Sequence, residues 1–166
     1  MNLSLHLVCR GWACLCLRIL CGLAAATCCT HAGAQNASST GNLSFGTFVA
    51  TSAGTVAVRV DGSRGQSGGA FVLNQGGNTA APAQFAVHGK ANAVFAVTLP
   101  ADNTVLMSDG AGHSMAVKSF TSNLSGTSIL SKNGNGQFSV GATLVVGTSQ
   151  ARGSYTGTFS VIVNYQ

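Results

Sequence analysis

Few side chains in this chain combine the type and spacing that chemistry requires. Beyond residue 34 the only histidines are His88 and His113, and the only carboxylates are Asp61, Asp102 and Asp109. A zinc site would need both histidines to converge with Asp102 or Asp109 on one set of loops. His88 shares the polar parity of its run with Gln84, and His113 sits beside a glycine turn, so both read as solvated. Asp102-Asn103 and Asp109-Gly110 could offer oxygens to calcium, but three carboxylates make a poor cage. Turn chemistry accounts for them more simply, because Asp and Asn side chains bond their own backbone.

Nucleophilic chemistry is equally short of parts. Hydroxyls crowd the stretch from Ser108 to Ser131, yet a Ser/His/Asp triad would have to draw on two His and three Asp. Gly65-Gln66-Ser67-Gly68-Gly69 is glycine-rich but lacks the lysine and following helix of a phosphate cradle. Arg59 and Arg64 flank a turn and read as solvated cations rather than an anion site. All six cysteines (Cys9, Cys14, Cys16, Cys21, Cys28 and Cys29) lie in the first 30 residues, so the rest has neither a disulfide framework nor a thiol nucleophile. The expectation is a non-enzymatic protein that uses no cofactor and no metal.

What must be positioned, then, is a surface, and the chain divides sharply before it reaches one. Residues 1–34 read as a cleaved secretory signal peptide: Arg10 and Arg18 are its only charges, Ile19 to Ala26 is apolar, and Ala32-Gly33-Ala34 offers a small-x-small cleavage site. The apolar run is shorter than the roughly 20 residues a membrane span needs. A lipoprotein modified at Cys28 or Cys29 is the weighed alternative, but Thr27 is a poor fit before Cys28. From Gln35 onward the charge is +3, too sparse for a nucleic-acid stripe. The expected mature part is exported and not membrane-spanning.

Residues 35–166 are nearly half Gly, Ser, Thr and Asn and contain no Glu, which disfavours helix throughout. Period-2 alternation recurs instead: Val56, Val58 and Val60; Phe85 and Val87; Phe95, Val97 and Leu99; Met115 and Val117; Leu144 and Val146. Turn signals separate these runs, among them Asp61-Gly62, Gly68-Gly69, Gly76-Gly77-Asn78, Asp109-Gly110 and Asn133-Gly134-Asn135-Gly136. Short strands at this spacing indicate an antiparallel sandwich or barrel. The eight phenylalanines from Phe45 to Phe159 would supply its large core pieces. Residues 35–41 read as a short polar lead-in, 42–166 as one domain, and Ser122 to Gly136 as its longest loop.

The last strand carries the most information. From Gly153, the residues Tyr155, Phe159, Val161, Val163 and Tyr165 fall on one parity, and polar residues mostly fill the other. A long terminal strand with one apolar face must pair or become a sticky edge. The expected site is therefore a strand-pairing groove lined by Tyr155, Phe159, Val161, Val163 and Tyr165, with Gly153 as the bend before it.

Four landmarks, in order, resemble a bacterial secreted family catalogued as a domain of unknown function, DUF 4402. They are Leu43-Ser44-Phe45-Gly46, Gly54 to Gly62 with Arg64 following, Ala81 to Gly89 with the later Leu99-Pro100, and Gly153 to Tyr165. The resemblance implies an immunoglobulin-like antiparallel β-sandwich, exported to the periplasm, the cell surface or a fimbrium, with no assigned catalytic residues to carry over. The ending is also similar to chaperone–usher pilin subunits, with Tyr165 penultimate and Gly153 fourteenth from the end. That likeness implies strand donation, in which a homo-polymer neighbour or a periplasmic chaperone and usher supplies the missing strand. Residues 35–41 lack the alternating apolar residues of a donating arm, and Leu43, Phe45, Thr47 and Val49 are needed at home. Two functions are expected, in order: a structural subunit of the cell surface assembling by strand pairing, and a monomeric module binding glycans or another surface partner.

Overall fold

The computed structural model describes residues 3–8, 35–73 and 80–166. The described residues form eleven strands and no helix: β1 (Leu3–Val8), β2 (Asn36–Gly41), β3 (Phe48–Val58), β4 (Arg64–Val72), β5 (Ala83–His88), β6 (Val94–Thr98), β7 (Val105–Ser108), β8 (Ser114–Ser122), β9 (Thr127–Ile129), β10 (Asn135–Val146) and β11 (Gly157–Tyr165). One sheet runs β1-β11-β6-β9 and the other β2-β5-β10-β3-β4, with β8 joined to β10 and β7 to β8. Every pairing is antiparallel except that of β1 with β11. The all-β reading holds, and the sheets pack as a sandwich.

The core follows the period-2 pattern. Val56, Val58, Phe85, Val87, Phe95, Met115, Val117, Leu144 and Val146 are all buried. Sheet faces that alternate in this way bury one parity and leave the other to water. Of the phenylalanines, Phe45, Phe85, Phe95, Phe138 and Phe159 are buried, and Phe48 and Phe120 pack at the margin. Phe71 departs from expectation at 48% exposed.

Phe71 lies on the outward parity of β4, next to buried Ala70 and past a corner in the β3–β4 hairpin. The register shifts between Ala50 and Gly54, and a Cβ on Gly54 would meet Ser67 O at 2.4 Å. Gly68 has φ +63° and a Cβ there would meet Ala53 O at 2.5 Å, so the two backbones touch where side chains would have to go. Gly68-Gly69 is thus not a turn between strands but lies inside β4, opposite the bulge that residues 51–53 make in β3. Beyond it, Phe71 pairs with Val49 and both point to water.

Strand β10 is the hub. Its first half pairs with β5, and its second half with β3 and β8. Ala142 is bypassed on the β8 side, where Ser119 takes φ 52°. The Ser119 N–H, which such a bulge frees from the ladder, donates to Asp102 Oδ1 at 2.7 Å.

Two expected loops are ordered otherwise. The polar lead-in is β2, paired with β5 from Asn36↔His88 to Gly41↔Gln84, with Ala37 buried. Backbone pairing at a sheet edge requires no apolar pattern, which is why the composition concealed it. The domain therefore starts at Asn36 and not at 42. The 122–136 stretch contains β9, a three-residue edge strand on β6. So short an edge offers little backbone to a stray chain.

Candidate strand-pairing site

Strand β11 has two different edges. Thr156 exchanges two backbone hydrogen bonds with Ser108, and the Gln166 N–H donates to Val94 O at 2.9 Å. Amides along a strand alternate between its edges, so these two even-numbered positions mark one edge, shared by β6 and the end of β7. The amides of Gly157, Phe159 and Val161 point to the other edge. There β1 runs parallel to β11, from Leu3↔Gly157 to Val8↔Ile162.

The side chains expected to line a groove face the core. Phe159, Val161 and Val163 are buried against the second sheet, and Phe159 meets Phe120 with ring centroids 5.3 Å apart. Tyr165, half-buried, leans on Phe95 at 6.5 Å, and its hydroxyl lies 3.0 Å from His88 O and 3.1 Å from Asn36 O. Tyr155 precedes the strand: its ring is buried, its hydroxyl donates to Ala151 O and accepts from Gln150 Nε2. Gly153 is an exposed residue at a bend in the 147–155 segment. Five of the six expected residues therefore pack in or against one core, while what β11 presents outward at the β1 edge is backbone.

A cleft of about 700 Å³ opens at the start of β11, between Gly46–Ala50 and Gln150–Tyr155, with Met115 also in its lining. Arg152 is its only charged side chain.

The remaining chemical candidates are occupied by structural partners. Arg64 reaches across the hairpin corner: Nη2 donates to Phe45 O at 2.8 Å and Thr47 O at 3.0 Å, and Nη1 to Leu73 O at 3.2 Å. Burial pulls its pKa downward from the ordinary guanidinium value. It is a brace, not the solvated turn cation the sequence suggested. Arg59 stays at the turn, 3.4 Å from Ser63 Oγ. Asp61 accepts from the Ser63 N–H, and that pairing with Ser63 lowers its pKa. His88 Nδ1 bonds Asn135 Oδ1 at 2.8 Å, and His113 Nδ1 bonds Asp109 Oδ2 at 2.6 Å. Among the described residues no three His, Cys, Asp or Glu side chains converge as a metal set would. Gly65-Gln66-Ser67-Gly68-Gly69 matches the Gly-x-Ser-x-Gly spacing of a nucleophile elbow. It lies within β4, though, and Ser67 Oγ bonds Thr55 Oγ1 at 2.7 Å on the paired strand. An elbow needs a strand-to-helix turn, which is absent there.

Comparison with known families settles the classification. A family model for a domain of unknown function, DUF4402, matches residues 36–165. The chain belongs to the DUF4402 family. The match starts on the first residue of β2 and ends on the last of β11, so the DUF4402 domain coincides with the sandwich and leaves β1 outside it. No curated protein and no solved structure matches the chain.

Proposed function

We propose that this DUF4402 domain is a secreted, immunoglobulin-like structural subunit of a fimbria-like or other cell-surface assembly, and that it assembles by β-strand pairing. The observation that carries the reading is the asymmetry of β11. One of its edges is consumed by β6 and β7, and the other is paired only with β1 among the described residues. Residues 3–8 fall within the segment read as a signal peptide. Cleavage would leave a long strand with its outward amides unpaired, above a core that includes Phe159 and Val161. Unpaired strand edges of this length attract a partner strand. The sparse ionisable groups, bound up in turns and braces, suit a scaffold better than a reaction centre. Immunogold electron microscopy of the exporting cells tests this: label along filaments or a surface coat is expected, and label dispersed with no assembled structure would refute it.

A second reading, a monomeric glycan-binding module, draws on the cleft beside Arg152 and Gln150. Polar groups around a partly apolar recess suit a small polar ligand. Dispersed particles that retain a sugar on a glycan array would favour it over the first.

A further inference from the structure

We infer that the outer edge of β11 accepts an extended polypeptide running parallel to it, with large apolar residues at every second position in phase with Phe159 and Val161, and that a different protein supplies this strand once the leader is gone. The inference rests on the strand-pairing reading above and deepens it.

Three observations carry it. Leu3–Val8, of sequence Leu-Ser-Leu-His-Leu-Val, already occupies this edge in parallel, and its register sets Leu3, Leu5 and Leu7 beside Gly157, Phe159 and Val161. The occupant therefore specifies both a direction and a period-2 pattern. β1 also approaches β2, the outermost strand of the second sheet. Losing β1 leaves an unpaired strand edge, which an extended chain fits better than a loop does.

The third observation concerns the source. A second copy, without its leader, has no spare arm among its described residues. Residues 36–41 are committed to β5 as strand β2. The next alternating segment is pinned: Leu43 and Phe45 are fully buried, Ser44 pairs with Ala81, and Arg64 holds the carbonyls of Phe45 and Thr47. Withdrawing that segment to donate it would empty its own core. With no strand to spare among a second copy's described residues, the incoming strand is assigned to another polypeptide.

The test uses the full chain with its six leader cysteines replaced by alanine. Leu5→Asp with Leu7→Asp weakens the resident strand, and the probe is a labelled peptide of sequence Leu-Ser-Leu-His-Leu-Val with a solubilising tail. The opened variant is expected to bind the peptide roughly tenfold or more tightly than the unaltered chain does. A peptide with serine at all three leucine positions should not bind. Cysteine in place of the peptide's first serine should cross-link to Thr158→Cys and not to Ile162→Cys, as the parallel register requires. If the double variant does not fold, a protease site between Ala34 and Gln35 allows the resident strand to be exchanged for excess peptide. Failure of both the variant and the cut chain to take up peptide, with β-sheet circular dichroism retained, overturns the inference. So does preferential cross-linking to Ile162→Cys. Filaments formed by the purified leaderless chain alone would overturn the different-protein source, yet leave the assembly reading intact.

Discussion

Phe85 and Phe138 lie directly opposite one another on β5 and β10, with ring centroids 4.7 Å apart and planes 5° from parallel. Phe159 approaches Phe85 from the other sheet, edge-on, at 6.4 Å and 76°. Phe85 is thus the point where a cross-strand stack becomes an inter-sheet contact. Phe159→Ala should destabilise the fold by about 3–5 kcal/mol. A double-mutant cycle with Phe85→Ala should return a coupling of about 0.5–1.5 kcal/mol. Urea denaturation of the four proteins measures both.

The buried parity of β11 makes a simple charge substitution a poor probe of assembly. Val161→Lys, at 0% exposure, should unfold the domain outright. Thr158→Lys and Ser160→Lys, on the exposed parity, should change stability by no more than about 0.5 kcal/mol. Circular dichroism melts of the three variants distinguish folding loss from assembly loss.

Arg64 satisfies three carbonyls at once. Arg64→Met keeps the aliphatic stem but strips those partners, and it should cost about 2–3 kcal/mol. Arg64→Lys should recover only part of this, because a single ammonium cannot reproduce the guanidinium fork. Amide exchange in Phe45 to Phe48 and at Leu73 should quicken in both variants, more so in the first.

The Asp109 loop should respond to acid. Partial burial opposes ionisation of its carboxyl, but the Ala111 N–H, the His113 ring and the His113 N–H outweigh that and hold the pKa below the ordinary value. A depressed carboxyl contributes stability that is complete above its unfolded pKa of about 3.9 and disappears as pH falls through the lower folded value. The Ala111 and His113 amide resonances should therefore titrate together below that ordinary value. Asp109→Asn should abolish the titration, which a two-dimensional NMR series follows directly.

Tyr165→Phe keeps the ring against Phe95 and deletes the hydroxyl that faces His88 O and Asn36 O. A loss of about 0.5–1.5 kcal/mol is expected in denaturant titrations. Exchange of the β2 amides should accelerate, since the contact ties β2 to the last strand.

Much of the sandwich was legible because burial and side-chain parity are the same physical fact in a strand. Val56, Phe85, Met115 and Leu144 announce their direction by their spacing. What escaped depends on backbone rather than side chains. β2 pairs through its amides and carries only Ala37 inward, so Gln35 to Gly41 reads as a tail. The β3 bulge opposite Gly69 depends on close backbone contact at Gly54 and Gly68, which no side-chain pattern announces. Arg64 finds its acceptors 17 and 19 residues upstream, a distance no local pattern encodes. The spacing of Phe159, Val161 and Val163 announced a strand, and they lie on β11. The sequence reading took these apolar residues for a contact surface, whereas they are buried in the core.

The contact between Tyr165 and Asn36 has a practical corollary for anyone altering the gene. It brings the two boundaries of the domain to one pole, so a short linker joining Gln166 to Gln35 should bridge them without stretching the chain. Opening the polypeptide instead at the Asp61-Gly62 turn would yield a circular permutant of unchanged topology. In such a molecule β11 would sit mid-chain, and anything grafted onto the new ends would lie at that turn instead of beside Tyr165.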